Sequence, residues 1–194
     1  MIARELVLAS SSSYRKALIA RLGLDVRSMA PDIDERPLVR EGPVETATRL
    51  AQAKARKIAD AVPAALIIGS DQVAMLGGTA LDKPGTHAAA VRQLRAMSGQ
   101  TVVFHTALCL LDAACGDMQV ANVPTRVHFR NLDAAQIERY LARDQPYDCA
   151  GSAKIEALGI ALVEKVESDD PTALIGLPLI ALVTMLKRAG VIVP

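Results

Sequence analysis

An apolar run of strand length, residues 65–68, leads directly into the small and polar residues Gly69, Ser70, Asp71 and Gln72. Consecutive apolar residues that include β-branched side chains indicate a strand buried on both faces of a sheet. Gly69 is expected to end that strand, which would place Asp71 just beyond its carboxyl end, where open α/β sheets bind their ligands. A Ser-Asp pair after a strand is also a common turn or helix cap, so Asp71 has a structural interpretation as well.

The composition fits one α/β domain with few aromatic residues. Of the 194 residues, 51% are hydrophobic, only 3% are aromatic and none is tryptophan, so the core has to be built of Ala, Leu, Ile and Val. This length is long for one small domain and short for two. We therefore expect a single domain over residues 1–194.

Charge and cysteine content exclude some partners and compartments. The formal net charge of +1 argues against a nucleic-acid surface that depends on a broad basic field. Cys109, Cys115 and Cys149 fit no paired metal or redox spacing and favour reduced thiols. The longest apolar run, residues 173–185, falls short of the ~20 residues that span a bilayer. These features predict a soluble cytoplasmic protein with no nucleic-acid or membrane partner.

A hydroxyl-rich loop follows the first predicted strand. Residues 6–9 predict a buried strand, residues 10–13 are all serine, and either of the last two serines can cap the helix that follows. Such a loop directs backbone N–H groups and hydroxyls at one point, as phosphate sites do. Arg15 and Lys16 lie in the first helical turn, where the helix dipole favours acids, so they indicate either an anionic ligand or solvated surface charges.

Two further stretches place charges in unusual settings. Residues 31–37 hold three carboxylates, Glu35 among them, between two prolines, which indicates either a hard-metal site or an exposed acidic turn. Residues 43–61 predict a helix whose small and apolar face includes Lys54. A lysine on such a face either extends to water or reaches into a cleft.

The rest of the chain predicts hairpins that interrupt an alternation of strands and helices. The hairpins turn at residues 77–78 and 114–117, the helices begin after Thr86 and Asp133 and at Pro178, and a last strand covers residues 160–166. Pro84 restricts Lys83 to an extended backbone in the loop between them. This order predicts an α/β fold with a mixed twisted sheet flanked by helices.

Short motifs along nearly the whole chain resemble those of the Maf-like nucleoside triphosphate pyrophosphatases. Residues 8–16 resemble the family's N-terminal Ala-Ser-x-Ser-Pro-Arg-Arg motif. The other matches follow in the family's order: Asp34-Glu35, Ala53-Lys54-Ala55, Gly69-Ser70-Asp71-Gln72, Lys83-Pro84, Ser98-Gly99 with Thr106, Cys149-Ala150-Gly151-Ser152 and Gly176-Leu177-Pro178-Leu179. Each motif is short, but their joint order and spacing make chance a poor explanation.

The resemblance implies a fold of two lobes around a nucleotide cleft, similar to that of Maf and inosine triphosphate pyrophosphatase-like proteins, and usually a homodimer. It implies cleavage of a nucleoside triphosphate to a monophosphate and diphosphate, with a divalent metal cation as cofactor. The catalytic roles carry over to Asp71 as the base, to Glu35 and to Lys83, and the metal would be held by Asp71 and Glu35. The phosphate-binding residues carried over are Ser10, Arg15 and Lys54. Fixed cations and a metal suit phosphoryl transfer, which depends on positioning and charge stabilisation.

Two departures from the N-terminal motif point to one branch of the family. Ser13 replaces the motif's proline and Tyr14 its first arginine. Tyr14, Gln72 and Glu156 together resemble the branch that prefers 7-methyl-GTP. Methylation at N7 makes guanine cationic, so Tyr14 can stack on it and Glu156 can accept from its N–H groups. The alternatives are a pyrophosphatase for dTTP, UTP or modified pyrimidine triphosphates, whose branch has Arg, Thr and Gln at these positions, and a nucleotide-binding cell-division regulator without turnover.

Overall fold

The computed structural model describes residues 4–193, in which strands and helices alternate. The strands are β1 (Leu6–Ala9), β2 (Val26–Met29), β3 (Leu66–Leu76), β4 (Thr79–Leu81), β5 (Thr101–Asp112), β6 (Met118–Phe129) and β7 (Val163–Ser168). The helices are α1 (Ser13–Ala20), α2 (Pro43–Ala59), α3 (His87–Met97), α4 (Ala134–Asp144) and α5 (Leu179–Arg188). The α/β class that the sequence predicts is confirmed.

The strands in residues 4–193 form one sheet that contains both parallel and antiparallel pairs. Its order is β2-β1-β3-β5-β6-β7, and β4 pairs with β3. β1 is parallel to β2 and to β3, whereas β4 is antiparallel to β3 and β7 is antiparallel to β6. The mixed sheet and the hairpin through Gly77 and Gly78 are therefore as predicted.

Three helices begin at the predicted capping residues. The capping side chains are Ser12 for α1, Thr86 for α3 and Asp133 for α4, and each accepts a hydrogen bond from the backbone N–H three residues further on. Side chains of this type satisfy N–H groups that have no partner inside the helix. Helix starts were predictable here because the capping signal is local.

The chain divides into two compact units. The first unit holds the described residues up to Gln72, together with Thr106–Val123 and the described residues from Asp170 onward. The second unit holds Val73–His105 and Pro124–Asp169. β3, β5 and β6 each contribute residues to both units.

The core of the first unit is aliphatic. Most of its fully or nearly fully buried members come from α1, β1, β3, β5 and α5, and they include Leu6, Leu8, Leu18, Leu66, Ile68, Leu108, Leu110, Leu182 and Leu186. Val7 and Ile67, whose side chains point to the other face of the sheet, are also completely buried. The apolar run at residues 65–68 thus lies in a strand covered on both faces, as its composition predicts.

The predicted end of that strand at Gly69 is wrong. β3 continues without a break from Leu66 to Leu76, so Asp71 lies within the strand and not beyond its end. A Cβ on Gly69 would lie only 2.1 Å from the Ala51 carbonyl oxygen of α2. The glycine therefore permits a close approach of helix and strand, and the sequence signal was interpreted as a strand end because a packing glycine and a chain-breaking glycine look alike.

The second unit contains α3, α4 and β7. Its buried side chains include Leu94 and Met97 of α3 and Ile137 and Leu141 of α4. The last strand begins at Val163 and not at residue 160, because Leu158–Leu162 forms a short 3-10 helix. Among the described residues of the whole chain, no helix combines the length and hydropathy that a bilayer span requires.

Candidate active site

In the first unit, Lys54 lies between two carboxylates. Its Nζ is 2.6 Å from Asp71 Oδ1 and 2.7 Å from Glu35 Oε1. Lys54 and Asp71 are buried, with 5% and 7% of their surfaces exposed, whereas Glu35 is exposed. Of the two interpretations of Lys54, the structure supports the inward one, because Lys54 is itself buried and its ammonium group contacts the buried carboxylate of Asp71.

The position of this ion pair follows from how α2 packs on β3. The buried face of α2 carries small residues such as Ala51 and Ala55 beside Lys54. Because Gly69 adds no side chain, the backbone of α2 comes close to β3 two residues before Asp71. The lysine therefore starts near the strand that bears its partner.

The electrostatic setting of Asp71 favours proton uptake. Burial raises its pKa above the usual value for aspartate, while Lys54 and Arg15 act in the opposite direction and Glu35 adds to the rise. Burial of the guanidinium also lowers the pKa of Arg15, against the attraction of Asp71 and Glu35. A buried carboxylate whose pKa is raised and whose ionised form is still supported by cations is suited to act as a general base.

The hydroxyl-rich loop contributes Ser10 and Arg15. Ser10 is buried, and its Oγ accepts a hydrogen bond from the backbone N–H of Ser12 at 3.1 Å. Arg15 Nε donates to the Gly176 carbonyl at 2.7 Å. Within residues 4–193 the terminal guanidinium nitrogens donate no hydrogen bond, so they can bind an anion.

The backbone oxygens of residues 173–176, which we call the carbonyl loop, accept hydrogen bonds from side chains of several elements. Gly176 O accepts from Arg15 and also lies 2.9 Å from Ser70 Oγ, the neighbour of Asp71. Gly176 has a φ of 114°, a conformation that favours glycine. The carbonyl loop therefore positions a cation of α1 and the strand that carries Asp71.

The same loop holds Gln72. Its Nε2 lies 2.8 Å from Thr106 Oγ1, 3.0 Å from Ala173 O and 3.1 Å from Leu174 O. Thr106 Oγ1 in turn donates to Ala173 O at 2.9 Å. One end of the Gln72 side chain is thus fixed by a completely buried threonine and two backbone carbonyls.

Two residues that the sequence analysis did not single out, Asp170 and Thr172, shape the carbonyl loop. Asp170 Oδ1 accepts from the Thr172 hydroxyl at 2.6 Å, and its Oδ2 accepts from the Ile180 N–H at 2.7 Å. Thr172 Oγ1 accepts from the Leu179 N–H at 2.8 Å. The available signal was an Asp-x-Thr sequence before a predicted helix, because such side chains commonly bond to nearby backbone groups.

The predicted site residues are distributed over both units. Those in the first unit are Ser10, Tyr14, Arg15, Glu35, Lys54, Asp71 and Gln72, and those in the second are Lys83 and Glu156. Tyr14 is the second residue of α1 and is half-buried. Lys83 is exposed in the loop between β4 and α3, and Glu156 is exposed in the segment before the 3-10 helix Leu158–Leu162.

The carboxylates of Asp71 and Glu35 fit a divalent cation that takes its other ligands from a phosphate chain. Both converge on one ammonium group, and Mg²⁺ sites of this kind often use only one or two protein carboxylates. Within residues 4–193 no cluster of three or more His, Cys, Asp or Glu side chains could hold a metal by itself. The donor set therefore fits a cation bound together with a phosphate ligand.

Comparison with known proteins identifies the family. The model of the family described as Maf-like protein matches residues 5–189. The chain belongs to the Maf-like family. Among its relatives, a 7-methyl-GTP pyrophosphatase of Cupriavidus metallidurans is 56% identical over 95% of this chain and 93% of its own length. The proteins of the same name from Methylobacillus flagellatus and Aromatoleum aromaticum are 58% and 54% identical, and the matches cover 96% and 98% of this chain and 97% and 98% of theirs.

Proposed function

We propose that this protein hydrolyses 7-methyl-GTP to 7-methyl-GMP and diphosphate. The observation that carries the proposal is the buried Asp71 carboxylate, whose pKa is raised by burial and which is paired with Lys54, while the charge of Arg15 also favours its ionised form. The names of relatives that share more than half of its residues support the choice of substrate.

Asp71 is the proposed general base. Because Oδ1 is bound to Lys54, Oδ2 is the atom that takes a proton from the attacking water. The water oxygen forms a bond to the α-phosphorus as the bond to the bridging oxygen of the β-phosphate breaks. The proton passes to Asp71, and the electron pair of the broken bond leaves with diphosphate.

Fixed cations stabilise the charge that develops on the leaving group. In this proposal the terminal nitrogens of Arg15 bind the phosphates, Ser10 contributes a hydroxyl, and Lys54 and Lys83 neutralise phosphate oxygens. Asp71 and Glu35 would hold a divalent cation. When bound, this cation supplies charge neutralisation and orients the triphosphate.

Base selection is assigned to Tyr14, Gln72 and Glu156. The ring of 7-methylguanine carries a positive charge, so an aromatic side chain and a carboxylate both favour it over a neutral base. Tyr14 is near the start of α1, one residue before Arg15, which links base selection to phosphate binding.

We further propose that the enzyme works as a homodimer in the cytoplasm. Cys109, Cys115 and Cys149 form no disulfide, which suits a reducing compartment. Burial also raises the pKa of Cys109 to about 12, which keeps this thiol protonated and unreactive.

The test is release of pyrophosphate by the purified full-length chain with Mg²⁺ or Mn²⁺, with 7-methyl-GTP, GTP, dTTP and UTP as substrates. We expect the fastest release from 7-methyl-GTP, and a loss of roughly 10²–10⁴-fold in Asp71→Asn, the range for removing a general base. Nucleotide binding without release from any triphosphate would indicate a binding regulator. Fastest release from dTTP or UTP would indicate a pyrimidine-specific enzyme.

A further inference from the structure

We infer that Thr106 is a positioning residue for Gln72, which it orients so that Nε2 faces the protein and Oε1 is presented to the nucleotide as an acceptor. This inference rests on the proposed function, because it concerns base selection by the same site. Neither the name of a relative nor the family motif assigns this role to Thr106.

The orientation of the Gln72 amide follows from its partners. Two of them, Ala173 O and Leu174 O, are backbone carbonyls, which can only accept hydrogen bonds. The atom that faces them must therefore be the donor Nε2. A reversed amide would set its oxygen against two other oxygens at about hydrogen-bond distance.

Thr106 completes this arrangement because its hydroxyl hydrogen already has a partner. The hydroxyl donates to Ala173 O at 2.9 Å, so towards Gln72 Nε2, 2.8 Å away, its oxygen acts as the acceptor. Thr106 is completely buried, so water does not readily replace its oxygen. Without it, one of the two hydrogens on Nε2 would lose its shortest bond.

The other end of the amide remains for a ligand. No protein donor to Gln72 Oε1 is found within residues 4–193. This oxygen is not buried, so a ligand can reach it. Oε1 can only accept, so it favours a nucleoside edge that offers donors. 7-Methylguanine presents N1–H and an amino group side by side, whereas uracil and thymine present one N–H between two carbonyls.

The experiment compares threonine variants of the full-length protein with matched substitutions. Thr106→Val removes the hydroxyl at nearly constant volume, and Thr106→Ser keeps it. Thr125→Val is the control, since Thr125 is also a completely buried strand threonine whose hydroxyl donates to a side chain, Ser168 Oγ at 2.9 Å, but belongs to the second unit. KM and kcat are measured with 7-methyl-GTP and dTTP, and thermal unfolding is followed for every variant.

We expect Thr106→Val to raise KM for 7-methyl-GTP about five- to tenfold, the equivalent of one hydrogen bond, with kcat changed less than twofold. Thr106→Ser and Thr125→Val should stay near wild type in KM. In a Gln72→Leu background, Thr106→Val should cause no further loss of selectivity, because the residue acts through Gln72. Equal effects of Thr106→Val and Thr125→Val, or additive effects of Thr106→Val and Gln72→Leu, would overturn the inference.

The design separates this inference from the proposed reaction. If the wild-type protein releases no pyrophosphate, the proposed reaction fails, and the same variants are compared by calorimetric affinity for 7-methyl-GTP. A five- to tenfold weaker affinity in Thr106→Val alone would still support the positioning role. Unchanged affinity in that variant would overturn it.

Discussion

Asp71 is a carboxylate in the middle of a strand, held by a lysine from the neighbouring helix. Burial raises its pKa, and the surrounding charges divide into Lys54 and Arg15, which lower it, and Glu35, which raises it. If Asp71 is the base, only its ionised form works, and activity falls as the pH drops through its pKa. The charges around it therefore set the acidic limb of the pH profile.

Removing the Lys54 cation and removing the Glu35 anion should shift the acidic limb of the pH profile in opposite directions. Lys54→Met removes a cation that favours the ionised form, so the limb of log kcat/KM should shift to higher pH by roughly one unit or more. Glu35→Gln removes an anion that disfavours the ionised form, so the limb should shift to lower pH. The measurement is kcat/KM for 7-methyl-GTP between about pH 4 and 9.

Lys57→Met is the matched control, because Lys57 is an exposed lysine of the same helix and is not among the groups that shift the pKa of Asp71. Its acidic limb should coincide with that of the wild type. A shift of the same sign in the Lys54 and Glu35 variants would show that another group controls the limb.

At this scale the sequence predicted the charged residues better than their supports. Lys54 stood out because a charge on an apolar helical face is uncommon, and the structure gives it carboxylate partners. The supporting role of Thr106 was not predictable in this way, since its hydroxyl donates to Ala173 O, 67 residues further along the chain. Asp170 and Thr172 gave only the weak local signal of an Asp-x-Thr sequence. The functional roles of the predicted site residues stay predictions.

The contact between α2 and β3 controls the geometry of the Lys54–Asp71 pair at the scale of elements. Gly69 has no space for a side chain, since a Cβ there would lie 2.1 Å from Ala51 O and 3.2 Å from Ala55 Cβ. The end of a flexible side chain could move aside to relieve such a contact, but the backbone of a helix cannot. The two elements would have to separate.

Gly69→Ala should therefore reduce both stability and activity. We expect a loss of about 1–3 kcal/mol in the free energy of unfolding, the usual cost of overpacking, and a fall in kcat as Lys54 moves away from Asp71. Gly78→Ala is the control, because a Cβ on Gly78 meets nothing within 4 Å. Denaturant unfolding and kcat are the measurements, and equal behaviour of the two variants would contradict the proposed packing role.

Element boundaries were predictable where the signal was local. Capping residues marked the starts of α1, α3 and α4, and a Gly-Gly pair marked the β3–β4 turn. The length of β3 was not predictable in this way, because the role of Gly69 depends on a helix about fifteen residues earlier in the chain. The start of β7 was placed three residues too early, since an apolar run does not distinguish a 3-10 turn from a strand.

The whole chain passes repeatedly between its two compact units along β3, β5 and β6. A strand that belongs to both units shares its backbone hydrogen bonds with both. We therefore expect residues 1–194 to behave as a single domain and to unfold in a single transition.

Core truncations in the two units should then lower the same transition. Leu182→Ala in the first unit and Leu141→Ala in the second remove completely buried side chains, and each should cost roughly 2–5 kcal/mol. Calorimetry and circular dichroism should report one transition for both variants and for the wild type. Two transitions, each shifted by only one of the variants, would show that the units unfold independently.

The hydrogen bonds of the carbonyl loop connect residues that are far apart in the sequence and are therefore synthesised at different times. Gln72 and Leu174 are 102 residues apart, and Arg15 and Gly176 are 161 apart. At ordinary elongation rates the two carbonyl acceptors for Gln72 are synthesised roughly 5 to 20 seconds after Gln72 itself. During this interval the apolar residues of β1 and β3 also lack α5, which covers them in the finished molecule. A nascent chain of this topology therefore exposes apolar residues of β1 and β3 until its last segment emerges. The carbonyl acceptors that hold Gln72 are also completed only near the end of synthesis.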